Sequence, residues 1–401
     1  MSILKDKNIL LGVTGGISAY KSITLLRLLK KNGADVQVIF TKYAHDFVTT
    51  LTFSTLSERP VLTNFFDEEE NSKNWNNHVD LADWADFLLI VPATSSTISK
   101  MVSGNADNLL IATYMSIKSE VFFAPAMDLY MYKSTATKKN IETLVKNGDI
   151  LIKPGVGSLA SGMSGEGRVE EPEVILDILK NHIKKKLIFN GKTFLITAGP
   201  TFEMIDPVRF IGNFSSGKMG YELAKEASRL GAKVHLISGP SNEQINDENI
   251  ILKKIVSADE MFDECSKVFN DIDIFIMSAA VSDYKPFKKK HNKIKKDKSE
   301  KISLELIKNK DILKSLGSKK IKGQKIIGFS LETENELKNA TKKLKNKNLD
   351  AIILNSLNDE GAGFNLPTNK ISFITSSYLK DFTVKTKKDV AKDILLEVFN
   401  L

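Results

Sequence analysis

The sequence predicts an α/β protein made of two Rossmann-like, three-layer αβα domains with mainly parallel sheets. Short apolar segments typical of buried strands alternate with amphipathic helical segments along the chain. Two stretches, one near residue 8 and one near residue 193, open with a strand, a loop of small residues and a helix. Because 401 residues can form two or three cores, we place domains at 1–190 and 191–401.

The composition indicates a globular protein of the cytoplasm. Hydrophobic residues make up 42% and charged residues 26% of the chain, which is ordinary for such proteins. No apolar run approaches the roughly 20 residues that span a bilayer, and residues 1–7 do not resemble a signal peptide. The single cysteine, Cys265, fits a reducing compartment and is expected to be a buried apolar residue on a helix. We therefore expect no membrane partner.

The net charge of +8 favours small anionic ligands over nucleic acid. The excess lysines are scattered through helices and loops, without the aromatic-interleaved basic stripe or zinc-ligand spacing of nucleic-acid modules. Phosphates and nucleotides are the simpler partners for this charge.

The first domain opens with a predicted phosphate-sized loop. A strand at 8–14 is followed by Gly15, Gly16, Ile17 and Ser18, a helix at 19–32 and a strand at 35–40. The loop lacks the G-x-G-x-x-G pattern, and no acidic residue ends the second strand. A mononucleotide such as FMN is therefore favoured over a dinucleotide.

Later strands of the first domain also end in polar residues. The strand at 87–91 runs into the hydroxyl-rich segment 92–97, and the strand at 121–124 runs into 125–131. Ligands of open α/β sheets bind at these strand ends. Five glycines in 153–168 predict a mobile loop, as in a lid, and the helix at 172–186 closes the domain.

The second domain opens with a predicted anion cradle. A strand at 193–197 breaks at 198–200, and a polar loop leads to Ser215, Ser216, Gly217 and Lys218, where a helix begins. Free backbone N–H groups and the positive end of the helix dipole would face a phosphate there. The spacing of a Walker A loop is absent.

Two lysine-bearing segments follow in the second domain. Residues 285–298 are too polar to pack and predict an exposed loop. Strands at 272–277, 325–329 and 351–354 are expected, and a helix before the last carries Lys343 and Lys347 at i, i+4 spacing. Two cations on one helical face suit a polyphosphate.

Several motifs in a fixed order resemble those of one family. In the first half they are GVTGGISAYK, NHVDL at 77–81, PATSST and PAMDLYM; in the second they are ITAGPT, DPVRFIGNFSSGKMG, SAAVSDY, KIKK, KNKDI, GFSLET and KNLD. Each motif alone is weak, but their joint order over nearly the whole chain is specific. The chain resembles the bifunctional coenzyme A biosynthesis enzymes, in which phosphopantothenoylcysteine decarboxylase is fused to phosphopantothenate–cysteine ligase. The resemblance implies a flavodoxin-like flavoprotein domain followed by a ligase domain.

For the second half, the resemblance implies activation of 4'-phosphopantothenate by CTP and Mg2+. An acyl-cytidylate would form, and cysteine would displace CMP to give 4'-phosphopantothenoylcysteine. Asn213 would act on the acyl-cytidylate, and Lys293, Lys343 and Lys347 would neutralise the triphosphate. The remaining residues matched to the nucleotide site are Ala279, Ala280, Val281, Asp283, Asn309, Lys310, Asp311, Ile312 and Phe329.

For the first half, the resemblance implies FMN-dependent decarboxylation to 4'-phosphopantetheine, through oxidation of the cysteine thiol and loss of CO2. His78 matches the catalytic base, although a histidine beside Asp80 would otherwise be assigned a structural role. The residues matched to the FMN site are Gly15, Gly16, Ser18, Thr41, Thr94, Ser95 and Thr97.

Two candidate catalytic residues depart from the family pattern. Asp128 stands where the best-known members have asparagine, and Ser161 stands where they have a proton-donating cysteine. A carboxylate repels a substrate carboxylate unless it is protonated or paired, and serine is a far weaker acid than cysteine, whose pKa is about 8.5. The sequence thus leaves open full decarboxylation, an oxidative-only reaction and an inactive flavoprotein half.

Three other functions stay open at this point. They are an NAD(P)-dependent reductase, a non-enzymatic flavin or nucleotide sensor, and nucleic-acid binding by the lysine-rich loop. The missing G-x-G-x-x-G disfavours the first.

The family resemblance also implies a homo-oligomer, with flavodomain trimers that share their active sites and ligase dimers.

Overall fold

The computed structural model describes residues 2–66, 75–295, 302–356 and 366–401. These residues form two compact units, 2–185 and 186–401.

The first unit alternates strands and helices along most of its length. Its strands are β1 Asn8–Val13, β2 Asp35–Phe40, β3 Phe87–Ala93, β4 Glu120–Pro125, β5 Ile150–Leu151, β6 Gly155–Ser158 and β7 Ser164–Arg168. Its helices are α1 Tyr20–Lys31, α2 Thr50–Ser57, α3 His78–Trp84, α4 Ser95–Ser103, α5 Leu109–Ser116, α6 Leu129–Lys133, α7 Thr135–Asn147 and α8 Pro172–Lys186.

Five strands of the first unit form a parallel sheet in the order β2-β1-β3-β4-β5. Helices cover both faces, so the central strands are continuously apolar and buried. Leu89 and Leu179 belong to the core on one face, and Leu88 and Ile98 to the core on the other. The strand order reverses at β1, where open α/β sheets form a ligand crevice.

The second unit repeats this alternation around a larger sheet. Its strands are β8 Thr193–Ala198, β9 Phe202–Met204, β10 Phe210–Gly212, β11 Lys233–Ser238, β12 Ile250–Lys254, β13 Ile274–Met277, β14 Tyr284–Pro286, β15 Leu306–Lys308, β16 Lys325–Glu332, β17 Ala351–Ser356, β18 Thr368–Asn369, β19 Ser372–Thr375, β20 Leu379–Asp381 and β21 Lys385–Thr386. Its helices are α9 Lys218–Arg229, α10 Ala258–Val268, α11 Ile312–Lys319, α12 Glu336–Asn346 and α13 Lys387–Phe399.

Eight strands of the second unit lie in the order β12-β11-β8-β13-β16-β17-β19-β20. The sheet is parallel through β17, and β19 and β20 add an antiparallel edge. Ile196, Leu223 and Ile394 lie in one of its cores, and Leu195 and Phe275 in another. The predicted fold class, two α/β domains with mainly parallel sheets, is confirmed.

The glycine-rich segment 153–168 differs from its predicted loop. β6 and β7 pair as an antiparallel hairpin, so the prediction of a loop is wrong for these residues. A Cβ on Gly167, whose φ is +141°, would lie 2.3 Å from the carbonyl oxygen of Met127. The Met127 amide also donates to the Gly167 carbonyl at 3.0 Å. Close packing against the β4–α6 loop therefore explains this glycine better than mobility does.

The second unit contains elements that the sequence analysis missed. The hairpins β9–β10 and β14–β15 lie in segments that read as polar loops. Residues 287–295 are largely exposed, as predicted for the lysine-rich segment, and residues 296–298 lie outside the described residues. α10 holds Cys265, which is fully buried as expected, and burial raises the pKa of its thiol to about 12. None of the helices described is long and apolar enough to cross a membrane.

Candidate functional site

The first unit contains an open cavity of about 1140 Å³ at the carboxyl ends of its parallel strands. The loops after β1, β2, β3 and β4 reach it, as the topology requires. The predicted site residues that line it are Gly15, Gly16, Ser18, Thr41, Thr94, Ser95, Thr97, Asp128 and Ser161.

The loop after β1 needs glycine for two different reasons. A Cβ on Gly15 would lie 2.5 Å from the Cβ of Tyr43, so any side chain there would clash. At Gly16 the nearest atom to such a Cβ is the Thr94 Cγ2, at 3.8 Å. The protein leaves the space beside Gly16 open toward the cavity.

Hydroxyl groups fix the loop between β3 and α4. The Thr14 hydroxyl donates to the Pro92 carbonyl at 2.7 Å and accepts from the Thr94 amide at 3.3 Å. Thr94 is the N-cap of α4, and its hydroxyl accepts from the Thr97 amide at 3.4 Å. The backbone of this loop is therefore held in place without a ligand.

Asp128 and Ser161 lie on different elements at the same cavity. Asp128 is the N-cap of α6, and its Oδ1 accepts from the Tyr130 amide at 3.1 Å. Ser161 is exposed in the turn between β6 and β7. Within the described parts of the chain, its hydroxyl forms no hydrogen bond. Asp128 thus has a structural role, whereas Ser161 is free to contact a ligand.

His78 does not line the cavity that holds the other predicted residues of this half. It is the first residue of α3, where Asn77 provides the N-cap. Its ring lies edge-on to Phe65 and Trp75, with centroid distances of 6.1 and 6.5 Å. Its Nδ1 is buried and has no hydrogen-bond partner in the described structure.

The second unit has a cavity of about 980 Å³, also at the carboxyl ends of parallel strands. The predicted residues that line it are Asn213, Ser215, Ser216, Gly217, Lys218, Ala279, Ala280, Val281, Asp283, Asn309, Lys310, Asp311, Ile312, Phe329, Lys343 and Lys347.

The start of α9 has the geometry of an anion cradle. Gly217 is its N-cap with a φ of +81°, a backbone conformation that favours glycine. The Ser215 hydroxyl accepts from the Gly217 amide at 3.3 Å, and the Ser216 hydroxyl accepts from the Lys218 amide at 3.4 Å. The loop is thus ordered with the positive end of α9 at the cavity.

Asn213 is tied to the loop that follows β13. Its Nδ2 donates to the Val281 carbonyl at 3.0 Å. In the same loop, the Ala279 amide donates to the Thr197 hydroxyl at 3.2 Å. The second bond joins the ends of β8 and β13, where the strand order reverses, and the first ties Asn213 to the same place.

Lys343 and Lys347 are both paired with carboxylates. The Lys343 ammonium lies 2.6 Å from Glu332, and that of Lys347 lies 2.9 Å from Asp311. Burial raises the pKa of Glu332, but hydrogen bonds from Lys343 and Ser330 outweigh this effect and lower it overall. α12 ends at Asn346, so the predicted helix stops one residue before Lys347.

Lys293 does not line the cavity and is exposed in the segment 287–295. Its neighbour Ile294 is anchored, because the Ile294 amide donates to the buried carboxylate of Asp206 at 3.1 Å. Hydrogen bonds from Arg209, together with backbone amides, hold the pKa of Asp206 well below its usual value. The anchor fixes one end of the lysine-rich segment beside the β9–β10 hairpin.

The families that match this chain divide it at nearly the same place as its two structural units. Residues 189–401 match the family described as DNA/pantothenate metabolism flavoprotein C-terminal domain, and residues 2–184 match the Flavoprotein family. The coenzyme A biosynthesis bifunctional protein CoaBC of Bacillus subtilis is 41% identical over 399 residues, or 99% of this chain and 97% of that protein. The chain belongs to the coenzyme A biosynthesis bifunctional protein family.

Two further proteins are similar to this chain. A cysteine/cysteine sulfinic acid decarboxylase from an unknown prokaryotic organism is 45% identical over 359 residues, or 88% of this chain and 99% of that protein. A crystal structure of the C-terminal domain of CoaBC is 37% identical, covers 53% of this chain and 97% of that one, and has a TM-score of 0.45.

Membership of this family confirms the resemblance that the motifs indicated. The chain is an enzyme of a bifunctional family, with a flavoprotein domain and a pantothenate-metabolism domain.

In the parts described, no group of three or more His, Cys, Asp or Glu side chains could hold a metal ion.

Several polar residues at the cavity of the second unit were not predicted from the sequence. Ser330, Asn355, Asn369 and Lys387 line it. Asn355 follows the buried start of β17, so the strand-end argument could have found it. Lys387 opens α13, more than 160 residues after the start of α9, and no local pattern marks it.

Proposed function

We propose that the chain performs two successive steps of coenzyme A biosynthesis. Residues 191–401 join cysteine to 4'-phosphopantothenate using CTP, through an acyl-cytidylate. Residues 1–190 then decarboxylate 4'-phosphopantothenoylcysteine to 4'-phosphopantetheine with FMN. The proposal rests on one observation. This chain belongs to the family and has two cavities, one with a lining that suits a flavin and one with a lining that suits a nucleotide.

The first cavity fits FMN. The open space beside Gly16 accepts a ligand group close to the backbone, and the hydroxyls of Ser18, Thr41 and Ser95 can bind a phosphate and a ribityl chain. Bound FMN would supply the reversible two-electron oxidation of the substrate thiol that allows CO2 to leave. The turn with Ser161 lies at the mouth of the same cavity, where its hydroxyl can contact the substrate.

His78 would act as the catalytic base in the cavity of a neighbouring copy. In a single chain it lies away from the predicted FMN residues. Phe66, Trp75 and Val79, close to it in sequence, are each about half exposed, so this surface is suited to contact another protomer. A homo-oligomer with shared active sites, as in the predicted flavodomain trimer, would bring His78 to the flavin.

The second cavity fits a nucleoside triphosphate. Six lysines and two aspartates line it in the described chain, and the start of α9 offers backbone N–H groups to a phosphate. The Asn309 Nδ2 donates to the Ser282 carbonyl at 2.8 Å, which leaves its buried Oδ1 without a partner in the described structure. An amide oxygen accepts a hydrogen bond, so it suits the exocyclic amine of cytosine.

A Mg2+ ion in this cavity would be bound mainly by phosphate oxygens and water, with one or two carboxylates. Asp283 is exposed at the cavity, and its carboxylate forms no hydrogen bond or ion pair with the other described residues. It is therefore available to such an ion. Asn213, tied to Val281 beside it, is placed to contact the acyl-cytidylate.

A product assay tests the proposal. The purified protein receives 4'-phosphopantothenate, cysteine, CTP and Mg2+, and products are followed by mass spectrometry. We expect CMP and 4'-phosphopantetheine, and no product when CTP is omitted. Arrest at 4'-phosphopantothenoylcysteine, or at its enethiol, would restrict the function to ligation or to oxidative decarboxylation.

The relative named as a cysteine/cysteine sulfinic acid decarboxylase favours a second candidate, decarboxylation of free cysteine. The same assay without 4'-phosphopantothenate and CTP separates the two. Release of CO2 from cysteine alone would support this second activity, whereas release only from the conjugate would support the first.

A further inference from the structure

Two helices begin at the cavity of the second unit. Lys218 is the first residue of α9 and Lys387 is the first residue of α13, and both line this cavity. The two helices pack together in one core, which contains Leu223 of α9 and Val390 of α13. Their positive ends therefore lie at one wall of the cavity.

Lys387 is buried without an ion pair. It is 7% exposed, and its ammonium has no hydrogen bond or ion pair to any described residue. Lys21, which is similarly buried in the first unit, bonds to Glu171 at 2.8 Å and to the Val169 carbonyl at 3.0 Å. Because burying an unpaired charge is costly, Lys387 is the exception that a bound anion would explain.

The surroundings of Lys387 also offer hydrogen-bond donors. Asn369 is 4% exposed, lines the cavity and is paired with Lys385 across β18 and β21, next to the start of α13. Its Oδ1 accepts from the Lys370 amide at 3.1 Å, so its Nδ2 is left to donate. Glu243 lies near enough to raise the pKa of Lys387, but it forms no ion pair or hydrogen bond with Lys387 in the described structure. The Lys387 ammonium is therefore left to contact an anionic group in the cavity.

Lys343 and Lys347, the lysines that the sequence assigned to the triphosphate, are less available for this role. Each already neutralises a carboxylate of the protein. Lys218 has no such partner among the residues described. Burial first, and then the charge of Lys218, lower the pKa of Lys387, and the smaller effect of Glu243 does not offset them. A phosphate between the two ammonium groups would relieve both effects.

We propose that Lys218 and Lys387, at the adjoining starts of α9 and α13, form a phosphate-binding subsite together with Asn369. The ligand is a phosphate group of a substrate, either on the nucleotide or on the phosphorylated acid. This inference rests on the proposed ligase function for the identity of the substrates. The subsite itself follows from the burial and the unpaired charge of Lys387.

Calorimetric titration with inorganic pyrophosphate tests the subsite directly on the full chain. Lys387→Met removes the charge at nearly constant length, and we expect affinity to fall about tenfold or more, as for loss of a charge-assisted hydrogen bond. Lys392→Met is the matched control, since Lys392 is exposed on the same helix. It should bind pyrophosphate as the unaltered protein does.

Steady-state kinetics identify the source of the phosphate. In Lys387→Met, a raised KM for CTP alone assigns the subsite to the nucleotide, and a raised KM for 4'-phosphopantothenate alone assigns it to the acid. Unchanged pyrophosphate affinity and unchanged KM values in a folded Lys387→Met protein would overturn the proposal. If that variant does not fold, the same measurements on Lys387→Gln decide in the same way. The two proposals can fail separately. If the protein has no ligase activity but its pyrophosphate binding still depends on Lys387, the ligase function is refuted and the phosphate-binding subsite is supported.

Discussion

At the residue scale, one of the two residues predicted to depart from the family pattern also caps a helix. Asp128 caps α6 by accepting from the Tyr130 amide. Asparagine is an equally good N-cap, so either residue can hold this turn. The sequence showed that aspartate replaces asparagine at position 128. It did not show that Asp128 is an N-cap, because α6 has only five residues and no clear helical pattern.

Asp128→Asn should improve substrate binding without changing the fold. Repulsion between the Asp128 side chain and a substrate carboxylate about 4 Å away would cost roughly 1 kcal/mol in water, or about fivefold in affinity. We therefore expect KM for 4'-phosphopantothenoylcysteine to fall about fivefold at constant Tm. Kinetics with the synthetic conjugate and thermal unfolding check this.

Asp128→Ala serves as the control, because it removes both the charge and the cap. It should lower the Tm, in keeping with a cap energy of about 1 kcal/mol. Loss of activity in Asp128→Asn with an unchanged Tm would show instead that the carboxylate takes part in the chemistry.

At the element scale, the parallel strands were predictable and the hairpins were not. Strands such as β3 and β13 are continuous apolar runs, because helices cover both of their faces. β6, β9 and β14 are short and partly exposed, so their sequences carry no such pattern. One of these hairpins is also held by a contact with a distant segment, the hydrogen bond from the Met127 amide to the Gly167 carbonyl, which no local pattern marks.

A contact between α11 and the end of α12 predicts a coupled effect on stability and nucleotide binding. A Cβ on Gly317 would lie 1.9 Å from the Lys347 carbonyl oxygen. Gly317→Ala should therefore destabilise the second unit by about 1–3 kcal/mol and shift Lys347 away from Asp311. Urea unfolding and the KM for CTP measure the two effects.

Ser318→Ala is the matched control for this prediction. Ser318 is exposed on the same helix, and its replacement should change stability by less than about 0.5 kcal/mol. A Gly317→Ala protein as stable as this control, with an unchanged KM, would show that the backbone relaxes without cost.

At the scale of the whole molecule, the chain has separate apolar cores in its two units. Leu26 belongs to a core of the first unit and Leu223 to a core of the second. The restart of the strand, loop and helix pattern near residue 193 was visible in the sequence. The surface proposed for contact with another protomer was not, because the exposed apolar residues near His78 become recognisable as a surface only after folding.

The two units should lose stability independently. Leu26 and Leu223 are both fully buried, and truncation of a buried leucine to alanine typically costs about 2–5 kcal/mol. Leu26→Ala should weaken flavin retention and leave ligation intact, and Leu223→Ala should do the reverse. Flavin absorbance and CMP release during heating report on the two halves. Loss of both signals together in either variant would show that the units unfold as one.

The burial of Cys265 has a practical consequence for work with this enzyme. Its thiol is inaccessible, and its raised pKa keeps it protonated near neutral pH, so thiol-reactive reagents should spare the folded protein. An alkylating probe added to a running reaction would then label cysteine and its products alone. Such trapping could quantify each thiol-containing species over time without inactivating the catalyst.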